Sequence, residues 1–134
     1  MSNNLKKELA RVKMEKAREA WEEALWCFEG GKYPATVNRI YYCMYLACLA
    51  LLVFEYKVPT KHSAIIGMVN KKYVKENYLS RDVGRFLHEI QTARVEGDYK
   101  EKEFTKEEAE ELIENGEKAL AAMEEFLEKI LEEI

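Results

Sequence analysis

Apolar residues recur at every third or fourth position over long stretches of this chain, and turn-forming residues separate the stretches. The first stretch runs from Leu5 to Phe28 and stops at Gly30-Gly31, and the second runs from Pro34 to about Tyr56 before Val58-Pro59. This spacing places apolar side chains on one face of an α-helix, whereas no segment shows the sustained alternation of a strand. The pattern therefore predicts an all-α protein.

Three further helices follow from the same pattern and from start and stop signals. A short helix is predicted from Lys61 to about Tyr73, and a fourth begins after the N-cap residue Ser80 and ends at Gly97. Thr105-x-x-Glu108 is a capping box that predicts the start of a last helix. A chain of 134 residues without a low-complexity linker suits one core. We expect residues 1–134 to form a single domain, an antiparallel up-and-down bundle of about five helices.

Charge is unevenly distributed along the chain. Residues 1–100 carry 17 Lys and Arg against 12 Asp and Glu, a net of +5, while residues 101–134 carry 4 against 13, a net of −9. The basic part is suited to an anionic ligand, and the acidic part to water or a basic partner.

Three features predict a cytoplasmic protein that does not enter a membrane. The first nine residues are polar and charged, unlike a secretory signal, and the uncharged run Ile40–Phe54 is shorter than the ~20 residues of a membrane span. Cys27, Cys43 and Cys48 are odd in number and lie among apolar helical residues, so we interpret them as reduced core residues.

Two arginines interrupt faces that the pattern predicts to be buried. Arg39 precedes the uncharged run, and Arg94 projects from the apolar side of the fourth helix. A buried charge requires a partner, and Asp98 is the nearest acidic candidate after Arg94. We hypothesise that Arg39, Arg94 and Asp98 converge with Tyr42 and Tyr99 in a polar pocket between helices two and four. A purely structural ion-pair network is the alternative.

Other polar residues point less clearly to a site. Arg81, Arg85 and His88 share the face of helix four opposite its apolar residues, so they should contact solvent and either hold phosphate or simply be solvated. His62 is a candidate pocket residue, helix cap or exposed residue. With two histidines and no metal-binding spacing, we expect no metal and no cofactor.

Five short segments, taken in order, form a recognisable pattern: Asn38-Arg39-Ile40-Tyr41-Tyr42-Cys43-Met44-Tyr45, Ala50-Leu51-Leu52, Thr60-Lys61-His62-Ser63, Leu79-Ser80 and Arg94-Val95-Glu96-Gly97-Asp98-Tyr99. These segments resemble motifs of the small prokaryotic HEPN family known as UPF0332, whose typical run is Ser-Arg-Ala-Tyr-Tyr-Ala-Met-Phe. The resemblance covers roughly residues 15 to 130.

The resemblance implies a dimerising bundle that acts beside a minimal nucleotidyltransferase in toxin-antitoxin or defence pairs. Many HEPN proteins are metal-independent ribonucleases that use an arginine followed by a histidine. Here Arg94 is followed by Asp98 and Tyr99 instead, and loss of an acid-base imidazole costs about 10²- to 10⁴-fold in rate.

The resemblance therefore favours a catalytically degenerate module rather than an enzyme. We expect it to bind a nucleotide, RNA or its transferase partner through Arg39, His62, Arg94, Asp98 and the nearby tyrosines. Two alternatives remain open: a ribonuclease toxin that uses Arg81 and His88, or Arg94 with Tyr99, at a dimer cleft, and a helical adaptor for protein interaction.

Overall fold

A computed structural model describes residues 2–134, which form five α-helices and no strand. The all-α prediction is therefore confirmed. The third helix continues directly into a π-helical turn, Asn70–Val74. The helices are α1 (Asn3–Glu29), α2 (Tyr33–Leu51), α3 (His62–Val69), α4 (Arg81–Tyr99) and α5 (Lys106–Glu132).

The helix starts follow from local side-chain bonds. The hydroxyl of Ser80 accepts a hydrogen bond from the backbone N–H of Val83 at 3.3 Å. At α5, the Glu108 N–H donates to the Thr105 hydroxyl at 3.1 Å and the Thr105 N–H donates to the Glu108 carboxylate at 3.0 Å. These three hydrogen bonds satisfy backbone donors that a helix terminus leaves without partners. The predicted capping box at the start of α5 is confirmed.

Two predicted helix ends were wrong by a few residues. Helix α2 ends at Leu51 rather than near Tyr56, because the chain turns at 52–54 and the Glu55 carboxylate bonds to Tyr73 at 3.0 Å. Helix α4 continues past Gly97 to Tyr99. Gly97 faces the ring of Phe104, and a Cβ at this position would lie 3.0 Å from its Cε2 atom, so a close approach explains this glycine.

Helix α2 is the centre of the molecule and packs against α1, α3, α4 and α5. It is buried on most sides, as its apolar sequence predicts, and buried residues from all five helices form one cluster. Cys43 and Cys48 belong to that cluster as free thiols, and burial raises the pKa of Cys43 to about 12. A thiol with such a pKa stays protonated and unreactive near neutral pH, which agrees with its interpretation as a core residue.

Helix α1 keeps a broad apolar sector, part of which is exposed. Trp26 is 78% exposed, and Leu5 is 55% exposed. None of the helices formed by the described residues combines the length and the hydropathy of a membrane-spanning segment.

Candidate functional site

Three tyrosines of α2 and the first residue of α3 form a row of stacked rings, which we call the aromatic row: Tyr41, Tyr42, Tyr45 and His62. The imidazole of His62 stacks on Tyr45 with ring centroids 4.0 Å apart, and its centroid lies 6.4 Å from that of Tyr41. The rings of Tyr42 and Tyr45 are stacked at 6.3 Å. The helical spacing of 41, 42 and 45 places these rings along one side of α2.

Arg94 of α4 lies at one end of the aromatic row. Its guanidinium carbon is 4.5 Å from the centroid of the Tyr41 ring, and its Nε atom is 3.4 Å from Oδ2 of Asp98. The predicted pairing of these two residues is therefore present. The Arg94 side chain keeps 31% of its surface exposed, so part of it still faces solvent.

The Tyr41 ring beneath Arg94 is 4% exposed. Burial raises the pKa of its phenol because the phenolate would be poorly solvated, and the charge of Arg94 opposes that rise. Arg94 thus lies over a buried, neutral ring, an arrangement that restricts the movement of the guanidinium.

Arg39 lies over Tyr42, with 4.8 Å between its guanidinium carbon and the ring centroid. Its carboxylate partner is Glu23 of α1, at 3.4 Å, and not Asp98. The two arginines therefore stand over neighbouring tyrosines of α2, and each is paired with a different carboxylate. The sequence did not single out Glu23, because an exposed glutamate on α1 resembles many others in this chain.

The remaining predicted residues are open to solvent. Tyr42 is 38% exposed and Tyr99 is 76% exposed, while His62 is exposed except for the ring face that meets Tyr45. The sequence predicted Tyr42 and His62 as ligand-binding residues but did not single out Tyr41 and Tyr45. The only signal for them was their spacing of four residues on the helix that also carries Arg39.

Arg81, Arg85 and His88 are exposed, as predicted, on the outer side of α4. They line an open depression of about 540 Å³ whose far wall is the π-helical turn. The buried Oδ1 atom of Asn70 in that turn packs against Gly84 of α4 and has no hydrogen-bond partner within residues 2–134. In residues 2–134, no group of three or more His, Cys, Asp or Glu is placed to hold a metal ion.

The fold and this surface define a helical-bundle protein that presents stacked arginines beside tyrosine and histidine rings. A family model described as "HEPN domain" matches residues 10–133. The chain belongs to the HEPN domain family, and the resemblance predicted from the motifs is confirmed.

Similar proteins come from a bacterium and an archaeon. The chain is 29% identical to a "UPF0332 protein" of Thermotoga maritima over 95% of this chain and 97% of that protein. It is 33% identical to a protein of Methanocaldococcus jannaschii named "Putative toxin MJ0142", over 87% of this chain and 79% of that protein. A second protein of that organism, "Putative toxin MJ0605", is 29% identical over 98% of this chain and 97% of its own length.

Proposed function

We propose that this protein is a catalytically degenerate HEPN module of a toxin-antitoxin or defence pair, which binds a nucleotide or RNA at the aromatic row. It acts in the cytoplasm beside a minimal nucleotidyltransferase. The toxin names of two relatives support the context, and the family membership supports the ligand class.

The observation that carries the proposal is the placement of Arg94. Its guanidinium lies over the Tyr41 ring and pairs with Asp98, and part of the side chain remains exposed. A planar guanidinium binds phosphate through two parallel hydrogen bonds, and prior immobilisation reduces the entropy lost on binding. Asp98 is exposed and on the same helix, so a phosphate displaces only a weak surface ion pair.

The rings beside Arg94 are suited to bind the base of a nucleotide whose phosphate contacts Arg94. Tyr42 and His62 present partly exposed faces next to Tyr45, and bases stack on such rings irrespective of their identity. Arg39, over Tyr42, supplies a second positive charge for a further phosphate. Stacking together with two cationic positions suits a nucleotide or a single RNA strand.

Titration of a fluorescent ATP analogue and of a labelled single-stranded RNA tests the proposal. Arg94→Ala should raise Kd about 10- to 100-fold, because charge-assisted hydrogen bonds contribute about 1.5 to 3 kcal/mol. Arg85→Ala is the control, since it removes the same charge from the exposed face of α4. Affinity should also fall as salt rises, as phosphate contacts release counterions. Equal effects of the two substitutions would place the site elsewhere.

The partner is tested separately by co-expression with the product of a neighbouring nucleotidyltransferase reading frame. Co-purification in a defined ratio supports the pair. If the protein binds nucleotide but never forms that complex, the proposed ligand site stands and the proposed pairing with a nucleotidyltransferase is wrong.

We also propose that the chain forms a homodimer through exposed apolar residues such as Trp26 and Tyr99, which are 78% and 76% exposed. Large exposed rings are typical anchors of interfaces. Sedimentation velocity should give a dimer that Trp26→Ala or Tyr99→Ala weakens. A monomer at all concentrations contradicts it.

A metal-independent ribonuclease is the second candidate, favoured by the position of His62. No histidine follows Arg94 in its own segment, but α3 places the imidazole of His62 in the aromatic row. Both His62 and Arg94 lie near the Tyr41 ring. An imidazole there has the chemistry for general acid-base work. Purified protein incubated with tRNA in EDTA should then cleave it, and His62→Ala should abolish cleavage. Loss with His88→Ala instead favours Arg81 and His88, and intact RNA eliminates both.

A further inference from the structure

A groove runs between α4 and α5, away from the aromatic row. It consists of two adjoining depressions of about 430 and 400 Å³ that share Glu89 on their common border. From Ser80 to Glu96 the groove follows α4 for roughly 24 Å at 1.5 Å per residue. Its length is that of about four helical turns. The first depression carries Arg85 and Lys118 beside Asp82, so its charge is mixed, whereas the second follows α4 from His88 to Glu96 for roughly 12 Å, which is about two turns.

The floor of the second depression is apolar and its rim is acidic. Ala93, Phe104 and Leu112 lie in the floor, and each keeps between 5% and 8% of its surface exposed. The rim carries four glutamates, which are Glu89, Glu96, Glu108 and Glu111. We call this part of the surface the acidic groove.

Three of these glutamates form no ion pair among the described residues, although the charge of Glu96 acts on Lys102. Arg18 and Lys129 pair with other glutamates of α5, and Lys102 pairs with Glu108, but Glu89, Glu96 and Glu111 form no ion pair. Burial, and then the nearby charge of Glu111, raise the pKa of Glu89. Two carboxylates thus face each other across the groove without a cation between them, and a positive charge placed there would relieve their repulsion.

Lys102 shows what kind of cation this surface accepts. Its Nζ atom is 2.9 Å from Oε2 of Glu108 and 5.2 Å from the centroid of the Phe104 ring. A primary ammonium at one end of the groove therefore uses both the acidic rim and the aromatic floor. The cationic side chains of another polypeptide carry the same groups as Lys102 and therefore match these carboxylates in charge.

We propose that the acidic groove docks a basic amphipathic helix of a protein partner, with its apolar face on the floor and its lysines or arginines between the glutamates. Helix-in-groove recognition of this kind combines apolar anchors with charge complementarity. The acidic groove and the aromatic row are made of different residues. A negative result for peptide docking therefore does not count against nucleotide binding, and a negative result for nucleotide binding does not count against docking.

The test uses the full chain and a fluorescein-labelled 18-residue helical peptide of leucine and lysine, measured by fluorescence anisotropy. The double variant Glu89→Gln/Glu111→Gln should raise Kd at least tenfold. The matched control is Glu110→Gln/Glu128→Gln, which removes the same charge from two exposed glutamates that do not line the groove. It should change Kd less than twofold, and a peptide of the same composition without an amphipathic face should bind neither protein.

Carbodiimide cross-linking followed by mass spectrometry locates the bound peptide. Cross-links from peptide lysines to Glu89, Glu96 or Glu111 support the proposal, and cross-links confined to other glutamates overturn it. Equal loss of binding in the two double variants also overturns it, because bulk charge would then account for the attraction. If the groove variant instead dissociates a homodimer in sedimentation experiments and leaves peptide binding unchanged, the occupant is a second copy and the proposal is wrong.

Discussion

Replacement of Gly116 by alanine tests how tightly α5 packs against the rest of the bundle. A Cβ at this position would lie 2.8 Å from two carbons of the Trp21 ring and 3.1 Å from Cζ of Phe86. Attractive carbon contacts occur at about 3.5 to 4.0 Å, so the methyl group would overlap both rings. Trp21 and Phe86 are 1% and 3% exposed, and neither ring can turn away into solvent.

The magnitude follows from two opposing effects. Alanine gains about 1 kcal/mol over glycine in a helix interior, while forced overpacking of a core costs about 1 to 3 kcal/mol. With two rigid rings in the way we expect the upper part of that range, and hence a net loss of about 1 to 2 kcal/mol. Gly67→Ala is the control, since Gly67 lies in α3 with nothing within 4 Å of its added Cβ. It should gain about 0.5 to 1 kcal/mol.

Urea denaturation followed by circular dichroism at a helix band measures both changes. The two variants should differ by about 1.5 to 3 kcal/mol with unchanged denaturant dependence, and their melting temperatures should move in opposite directions. If Gly116→Ala stabilises the protein as much as Gly67→Ala does, the rings do not press against α5 and the packing argument fails.

Three further predictions concern stability. Thr105→Ala removes a hydroxyl acceptor from the capping box and should cost about 1 kcal/mol in urea denaturation, whereas Thr105→Ser should cost little. Tyr73→Phe removes a hydroxyl whose single hydrogen is shared between the Glu55 carboxylate at 3.0 Å and the Leu51 carbonyl at 3.3 Å. It should cost about 1 to 2 kcal/mol, and an unchanged midpoint would show that water replaces the lost hydrogen bond. The hydrogen bond from Lys72, with that from Tyr73, lowers the pKa of Glu55 below its ordinary 4.5. Because the folded pKa is the lower one, this stabilisation is present above pH 4.5 and is lost as the pH falls through the folded value. In Glu55→Gln, the free energy of unfolding should depend less on pH in that range.

The helices and their starts could be predicted because their causes are local. The capping box at Thr105, the N-cap at Ser80 and the spacing of apolar residues act over three or four positions, so the sequence alone carries them. The ion pair of Arg94 with Asp98 was predictable for the same reason, since the two residues are one helical turn apart. The early end of α2 was not, because it depends on contacts of Glu55 with residues of the π-helical turn.

The sequence by itself determined the class of fold, the five helices and the residues that interrupt their apolar faces. Only the tertiary structure decided that Arg39 pairs with Glu23, that His62 stacks on Tyr45, and that unpaired glutamates of α4 and α5 face one groove. Local periodicity specifies which face of a helix is buried, but it does not specify which residue of another helix meets that face. That choice depends on how distant helices cross and on which side chains fit together when they do.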